Sequence, residues 1–140
     1  MDKKKIVSAV GILAGLAIII VALVKGPCTG MITTAAGGAV PMKCHWSFRV
    51  CVMLGALLCG VSAMELLCKS KGAVVAAAVM GLVLSVCVFL TLGPVIGICA
   101  KEEMLCRASA PLLKAAAAVG GVSQLLVLVF SKDGKPSKMF

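Results

Sequence analysis

The sequence predicts an all-α membrane fold, a four-transmembrane-helix bundle in which two helical hairpins stand as candidate pseudo-repeats. Three observations carry that expectation. Of 140 residues, 61% are hydrophobic and only 14% are charged, too little polar surface for a water-soluble protein of this size. The apolar residues fall into four runs near the roughly 20 residues that a bilayer core requires. The charges gather between those runs, so one integral membrane domain occupies 1–140 and leaves no room for a soluble enzyme domain.

The first helix is expected over about 6–25, where Ile6 to Val24 carries no charge. Gly11 and Gly15 within it have the GxxxG spacing that lets a second helix backbone approach closely. A secretory signal peptide would have a shorter apolar stretch and a small-x-small cleavage site, whereas Lys25-Gly26-Pro27 follows here. Cys28 also lacks the small residue that a lipoprotein signal places before its cysteine.

Gly26 and Pro27 end that helix, and the Gly-, Thr- and Ala-rich stretch beyond them reads as an outer loop over 26–47. Trp46 and Phe48 mark a membrane interface, and the second helix is expected over about 48–68, with Gly55 and Gly60 as a small-residue packing face. Lys69-Ser70-Lys71-Gly72 is a tight turn between antiparallel helices. The third helix then runs over 73–92 and stops before Gly93-Pro94, because proline disfavours the helical conformation in the residue preceding it. A second outer loop covers 93–109. Ser109 as an N-cap and Pro111 in the first turn open the fourth helix, 110–130, ahead of a polar tail over 131–140.

An even number of spans puts both termini on one side. Eight lysines share it (Lys3, Lys4, Lys5, Lys69, Lys71, Lys132, Lys135, Lys138), against six basic residues opposite (Lys25, Lys43, Arg49, Lys101, Arg107, Lys114). The positive-inside rule therefore makes both termini cytoplasmic in a multi-pass protein of a bacterial cytoplasmic membrane. The net charge of +9 is read as topology signal and lipid contact rather than nucleic-acid binding, since no basic patch is interleaved with aromatics.

The two outer loops share an order of landmarks: Gly26-Pro27-Cys28 then Met42-Lys43-Cys44, and Gly93-Pro94 to Cys99 then Met104-Leu105-Cys106. Both hairpins start on the same side, so the repeat would be parallel, about an axis along the membrane normal.

Chemistry, if any, belongs to the cysteines. Cys28, Cys44, Cys99 and Cys106 fall in the outer loops, where structural disulfides are the first reading. Three connectivities stay open, with Cys28–Cys44 and Cys99–Cys106 closing the shorter loops. Cys51, Cys59, Cys68 and Cys87 read as small packing residues. The alternative is quinone-linked thiol-disulfide exchange, in which Arg49 could lower a thiol pKa, although no Cys-x-x-Cys is present. A further alternative takes Met42, Cys44, His45, Met104 and Cys106 as soft ligands for copper or zinc. A single histidine and an oxidising location weigh against it, and no cofactor is the expected state. His45 beside Trp46 reads more simply as an interfacial hydrogen-bonding residue. Glu65 stands near a helix interior, but Lys69 lies four residues on and offers a pair. The remaining acids, Asp2, Glu102, Glu103 and Asp133, are too few and too exposed for paired-carboxylate catalysis.

At Gly26-Pro27-Cys28, Met42-Lys43-Cys44-His45-Trp46, Gly97-Ile98-Cys99 and Met104-Leu105-Cys106-Arg107 the chain resembles an uncharacterised family of small bacterial four-helix membrane proteins, the domain of unknown function numbered 4418. The resemblance covers nearly the whole chain. It implies four helices with no assigned activity, and it suggests a role beside ABC transporters whose permease resembles the FtsX type. The leading expectation is thus a non-enzymatic accessory subunit of a membrane complex, partnered by the bilayer and by a membrane protein such as that permease.

Overall fold

The computed structural model describes residues 3–25, 31–41, 43–98 and 105–133. Among them are four helices long and apolar enough to cross a bilayer. The chain is a multi-pass membrane protein whose environment is a lipid bilayer. In such a medium each backbone amide must be satisfied within the protein, which is why the spans are helices.

Helix α1 is Lys3–Lys25, α2 Lys43–Leu67, α3 Lys71–Leu90 and α4 Leu105–Asp133. They form a ring in which α1 packs on α2 and α4, and α3 packs on the same two neighbours. Regular helix in α3 ends at Leu90 and gives way to a π-type turn, Thr91–Val95, around Gly93-Pro94. Thr91 Oγ1 donates to the Cys87 carbonyl at 2.7 Å, and its own carbonyl accepts from Gly97 N at 3.2 Å.

Two parts of the loop reading change. The stretch after α1 holds a β-ribbon, with β1 (Met31–Thr33) antiparallel to β2 (Ala39–Pro41). Thr34 and Gly38 close its turn by hydrogen bonds, and Gly37 takes a φ of +82°, a left-handed backbone that glycine accepts at no steric cost. Helices α2 and α4 also begin at Lys43 and Leu105, where 48 and 110 were expected. Ser109 is consequently no cap but a buried residue within α4, and Pro111 sits inside the helix near its start.

Burial repeats along the chain in fixed register. The buried residues of α1 (Ser8, Gly11, Ala14, Gly15, Ile18, Ala22) each have a buried counterpart 70 residues on, from Ala78 through Gly81, Leu84, Ser85 and Val88 to Leu92. Those of α2 (Cys44, Ser47, Phe48, Cys51, Gly55, Leu58, Ser62, Glu65) have theirs 62 on: Cys106, Ser109, Ala110, Leu113, Ala117, Gly120, Gln124 and Val127. The hairpins α1–α2 and α3–α4 are therefore pseudo-equivalent. The offsets differ by eight because 36 positions separate Ser8 from Cys44 and 28 separate Ala78 from Cys106. The β-ribbon lies in the longer connection.

Candidate functional site

Three levels of the bundle interior carry polar or sulfur groups. At the loop end, Cys44 and Cys106 occupy pseudo-equivalent positions in the first turns of α2 and α4, and both are fully buried. They belong to one apolar cluster with Phe48, Cys51, Leu92 and Leu113. Ser47 Oγ donates to the Gly97 carbonyl at 2.9 Å, which ties α2 to the segment that follows the π-type turn. His45 is half-buried and meets Trp46 edge-on, with ring centroids 5.8 Å apart. Cys28, Met42, Cys99 and Met104 lie outside the described residues. Among the described residues no three His, Cys, Asp or Glu side chains gather as a metal-binding group. Cys51, Cys59, Cys68 and Cys87 are free thiols within or beside the helices, and Cys59 Sγ donates to the Ile12 carbonyl at 3.5 Å.

The middle level centres on Gln124, which the sequence reading passed over. Its side chain is fully buried and donates through Nε2 to Ser62 Oγ at 3.1 Å. Space for it comes from two glycines. A Cβ on Gly81 would lie 2.7 Å from Gln124 Cδ, and one on Gly11 would lie 2.6 Å from Ser62 Oγ and 3.2 Å from Gln124 Nε2. All four helices thus meet at one layer: Gly11, Ser62, Gly81 and Gln124. The signal for it was available, because Gln124 is the one glutamine of the chain and stands in an apolar run. An amide in hydrocarbon needs a partner.

Just toward the loop end of that layer α1 and α2 come into backbone contact. A Cβ on Gly15 would lie 2.9 Å from the Gly55 carbonyl oxygen, and a Cβ on Gly55 would lie 3.0 Å from that of Gly15. A Cβ on Gly60 would meet nothing within 4 Å beyond the neighbouring backbone of its own helix. Gly11, Gly15 and Gly55 therefore serve contacts within the chain, whereas Gly60 faces outward.

At the end that carries the termini, Ser8 Oγ donates to Glu65 Oε2 at 3.0 Å across the α1–α2 interface. Glu65 is only 6% exposed. The pair expected with Lys69 does not form: α2 ends at Leu67, so Lys69 leaves the helical face that a four-residue spacing assumes. Glu65 Oε1 has no hydrogen-bond partner, and neither does the buried Ser131 Oγ. Both residues line a cavity of about 620 Å³ whose wall also holds Lys3, Lys4, Lys5, Lys69 and Lys71.

A family model described as a domain of unknown function, DUF4418, matches residues 8–131. The chain belongs to that family. The matched segment takes in both hairpins, the Gln124 layer and the Ser8–Glu65 pair, so all three levels lie within the DUF4418 domain. Neither a curated protein nor a solved structure matches the chain.

Proposed function

We propose that this protein is a non-enzymatic accessory subunit of a larger membrane assembly, held in a bacterial cytoplasmic membrane with both termini in the cytoplasm. The orientation rests on the eight lysines at the termini end against six basic residues at the other. The observation that carries the subunit reading is a groove of about 300 Å³ on the outside of the bundle, where α1 meets α4. Val7 and Val10 form one side, Val119, Val122 and Leu126 the other, and the methyl of Ala118 also lines it. In lipid, helices associate by close packing over small residues rather than by a hydrophobic force. A shallow channel with alanine in its lining suits a transmembrane helix of a partner. An ABC-transporter permease of the FtsX type is the partner class we favour.

A photocrosslinking amino acid at Val122, in the native membrane, tests this against the same probe at Val83 on α3, half-exposed and away from the groove. The reading expects a discrete adduct with one membrane protein from position 122, lost on Ala118→Leu. Adducts with lipid alone, or the same protein adduct from both positions, would reject it.

A second reading draws on the burial of Cys44 and Cys106 at pseudo-equivalent positions in one cluster. It takes Cys28, Cys44, Cys99 and Cys106 as cycling redox cysteines where the accessory-subunit reading has structural disulfides, with two thiols oxidised to a disulfide and the two electrons and two protons passed to a membrane quinone. A copper or zinc site using Met42, His45 and Met104 with those thiolates is its variant. Thiol trapping in intact cells separates the two readings, with Cys28→Ser and Cys106→Ser as controls. Uniformly oxidised cysteines that resist mild reduction favour the accessory subunit, and a readily reduced population favours redox or metal chemistry.

A further inference from the structure

The cavity at the termini end presents charges of both signs and two buried oxygens without a hydrogen-bond partner. Its wall is basic, with Lys3, Lys4 and Lys5 on the first turns of α1 and Lys69 in the turn after α2, all exposed. Its interior holds Glu65, more than nine-tenths buried, whose Oε1 has no donor, and Ser131, whose buried Oγ is likewise unmatched. A buried carboxylate oxygen without a donor is costly, and the lone hydrogen bond from Ser8 occupies only the other oxygen. A simple anion would satisfy the lysines and be repelled by Glu65. A simple cation would satisfy Glu65 and be repelled by the lysines.

We propose that this cavity binds the headgroup of an aminophospholipid, a phosphate ester that carries a primary ammonium. The phosphate lies among Lys3, Lys4, Lys5 and Lys69, and the ammonium donates to Glu65 Oε1 and Ser131 Oγ. Ammonium has three donors and no acceptor, which matches two orphan oxygens. The cavity wall also includes Leu66, Leu67, Val74, Val127 and Phe130, apolar groups suited to the glycerol and the first methylenes of a lipid. Leu67, on that wall, is 80% exposed at the end of α2 and is open to contact with an acyl chain. The second hairpin supplies no equivalent, because Val127 and Ala78 stand at the positions of Glu65 and Ser8.

Native mass spectrometry of the full chain released from phosphatidylcholine nanodiscs tests the proposal. The discs are doped with phosphatidylethanolamine or, separately, with phosphatidylglycerol. The expected result is a 1:1 adduct with phosphatidylethanolamine, favoured over phosphatidylcholine, whose quaternary ammonium cannot donate, and over phosphatidylglycerol, which has no amine. Glu65→Gln should lower the preference for phosphatidylethanolamine over phosphatidylglycerol by about tenfold or more, the loss of one charge-assisted hydrogen bond. Should Glu65→Gln fail to fold, the exposed pair Lys4→Ala and Lys69→Ala reads the phosphate half, and retention of all three lipids must fall. Displacement of the bound lipid by soluble phosphoethanolamine supports a site open to the headgroup alone, and no displacement supports one that needs the acyl chains. Wild-type preference for phosphatidylglycerol, or a phosphatidylethanolamine preference unmoved by Glu65→Gln, overturns the proposal.

Discussion

The α1–α2 hairpin packs backbone against backbone over two glycines, whereas the α3–α4 hairpin packs glycine against side chains, Gly81 on Gln124 and Gly121 on Ser85. Where the first has Gly15 against Gly55, backbone to backbone, the second has Ser85 and Ala117 at the matching positions. Size also alternates between the halves: Phe48 answers Ala110, Leu58 answers Gly120, Leu84 answers Ala14, and Gln124 answers Ser62. A twofold axis brings equivalent side chains toward one another. Identical halves would set two large or two small groups at one level, giving overlap or a void, and interiors tolerate neither. Divergence of the halves lets one large and one small residue fill these four levels, while Gly11/Gly81, Cys44/Cys106 and Ser47/Ser109 keep the same residue in both halves. The same divergence leaves the Ser8–Glu65 pair in the first hairpin alone.

The largest expected effect tests the glycine contact. Gly15→Leu must drive a side chain into the Gly55 carbonyl and Cys59 Sγ, which a Cβ alone would approach to 2.9 and 2.6 Å. It should lower unfolding free energy by about 3 kcal/mol or more, measured by steric trapping in bicelles. Gly60→Leu on the next helix should stay within about 0.5 kcal/mol, since a Cβ there meets nothing within 4 Å beyond the neighbouring backbone of its own helix. Equal losses at the two sites would mean that the α1–α2 contact is not close.

Much of this fold was legible. Uncharged runs of bilayer length fix the number of spans, and Gly93-Pro94 marks the end of α3 to within a few residues. Helices α2 and α4 start five residues before the expected positions because Trp46 and Phe48 read as an interface and Ser109 with Pro111 as a helix opening. The helical signal there is the spacing of small and apolar residues, Cys44, Ser47, Phe48, Cys51 and Cys106, Ser109, Ala110, Leu113, which recurs at three and four. Gln124 apart, the buried polar groups were not legible, because a serine in a membrane helix can bond its own backbone. Ser85 and Ser123 do so, to the Gly81 and Gly120 carbonyls, while Ser8 and Ser62 reach other helices. Only the ring order of the helices tells the two kinds apart.

A middle-sized effect tests whether unlike sizes are coupled across the axis. A Cβ on Gly120 would lie 3.1 Å from Leu58 Cδ2, so Gly120→Leu should cost about 1 to 3 kcal/mol by overpacking. Leu58→Ala should cost about 2 to 5 kcal/mol by opening a cavity. Combined, the new leucine occupies the vacated space, and the loss should fall short of the summed singles by about 1 kcal/mol or more. Strict additivity in thermal unfolding would show that Leu58 and Gly120 do not share one level of the core.

The smallest effect concerns the central layer, and here the two partners of one hydrogen bond should respond unequally. Ser62→Ala removes the acceptor of Gln124 Nε2 and leaves a buried amide with both ends unmatched, since Oε1 already lacks a partner. Interhelical hydrogen bonds in membranes average about 0.6 kcal/mol and reach about 1.7, and the orphaned donor puts Ser62→Ala toward the upper figure. Gln124→Met keeps the shape that fits between Gly11 and Gly81 and removes the orphan oxygen along with the donor. Its cost should be smaller than that of Ser62→Ala, because deleting both polar ends avoids the penalty of stranding one. The reverse order would mean that Gln124 Oε1 has a partner, such as a bound water, and that the layer between the hairpins holds more than these four residues.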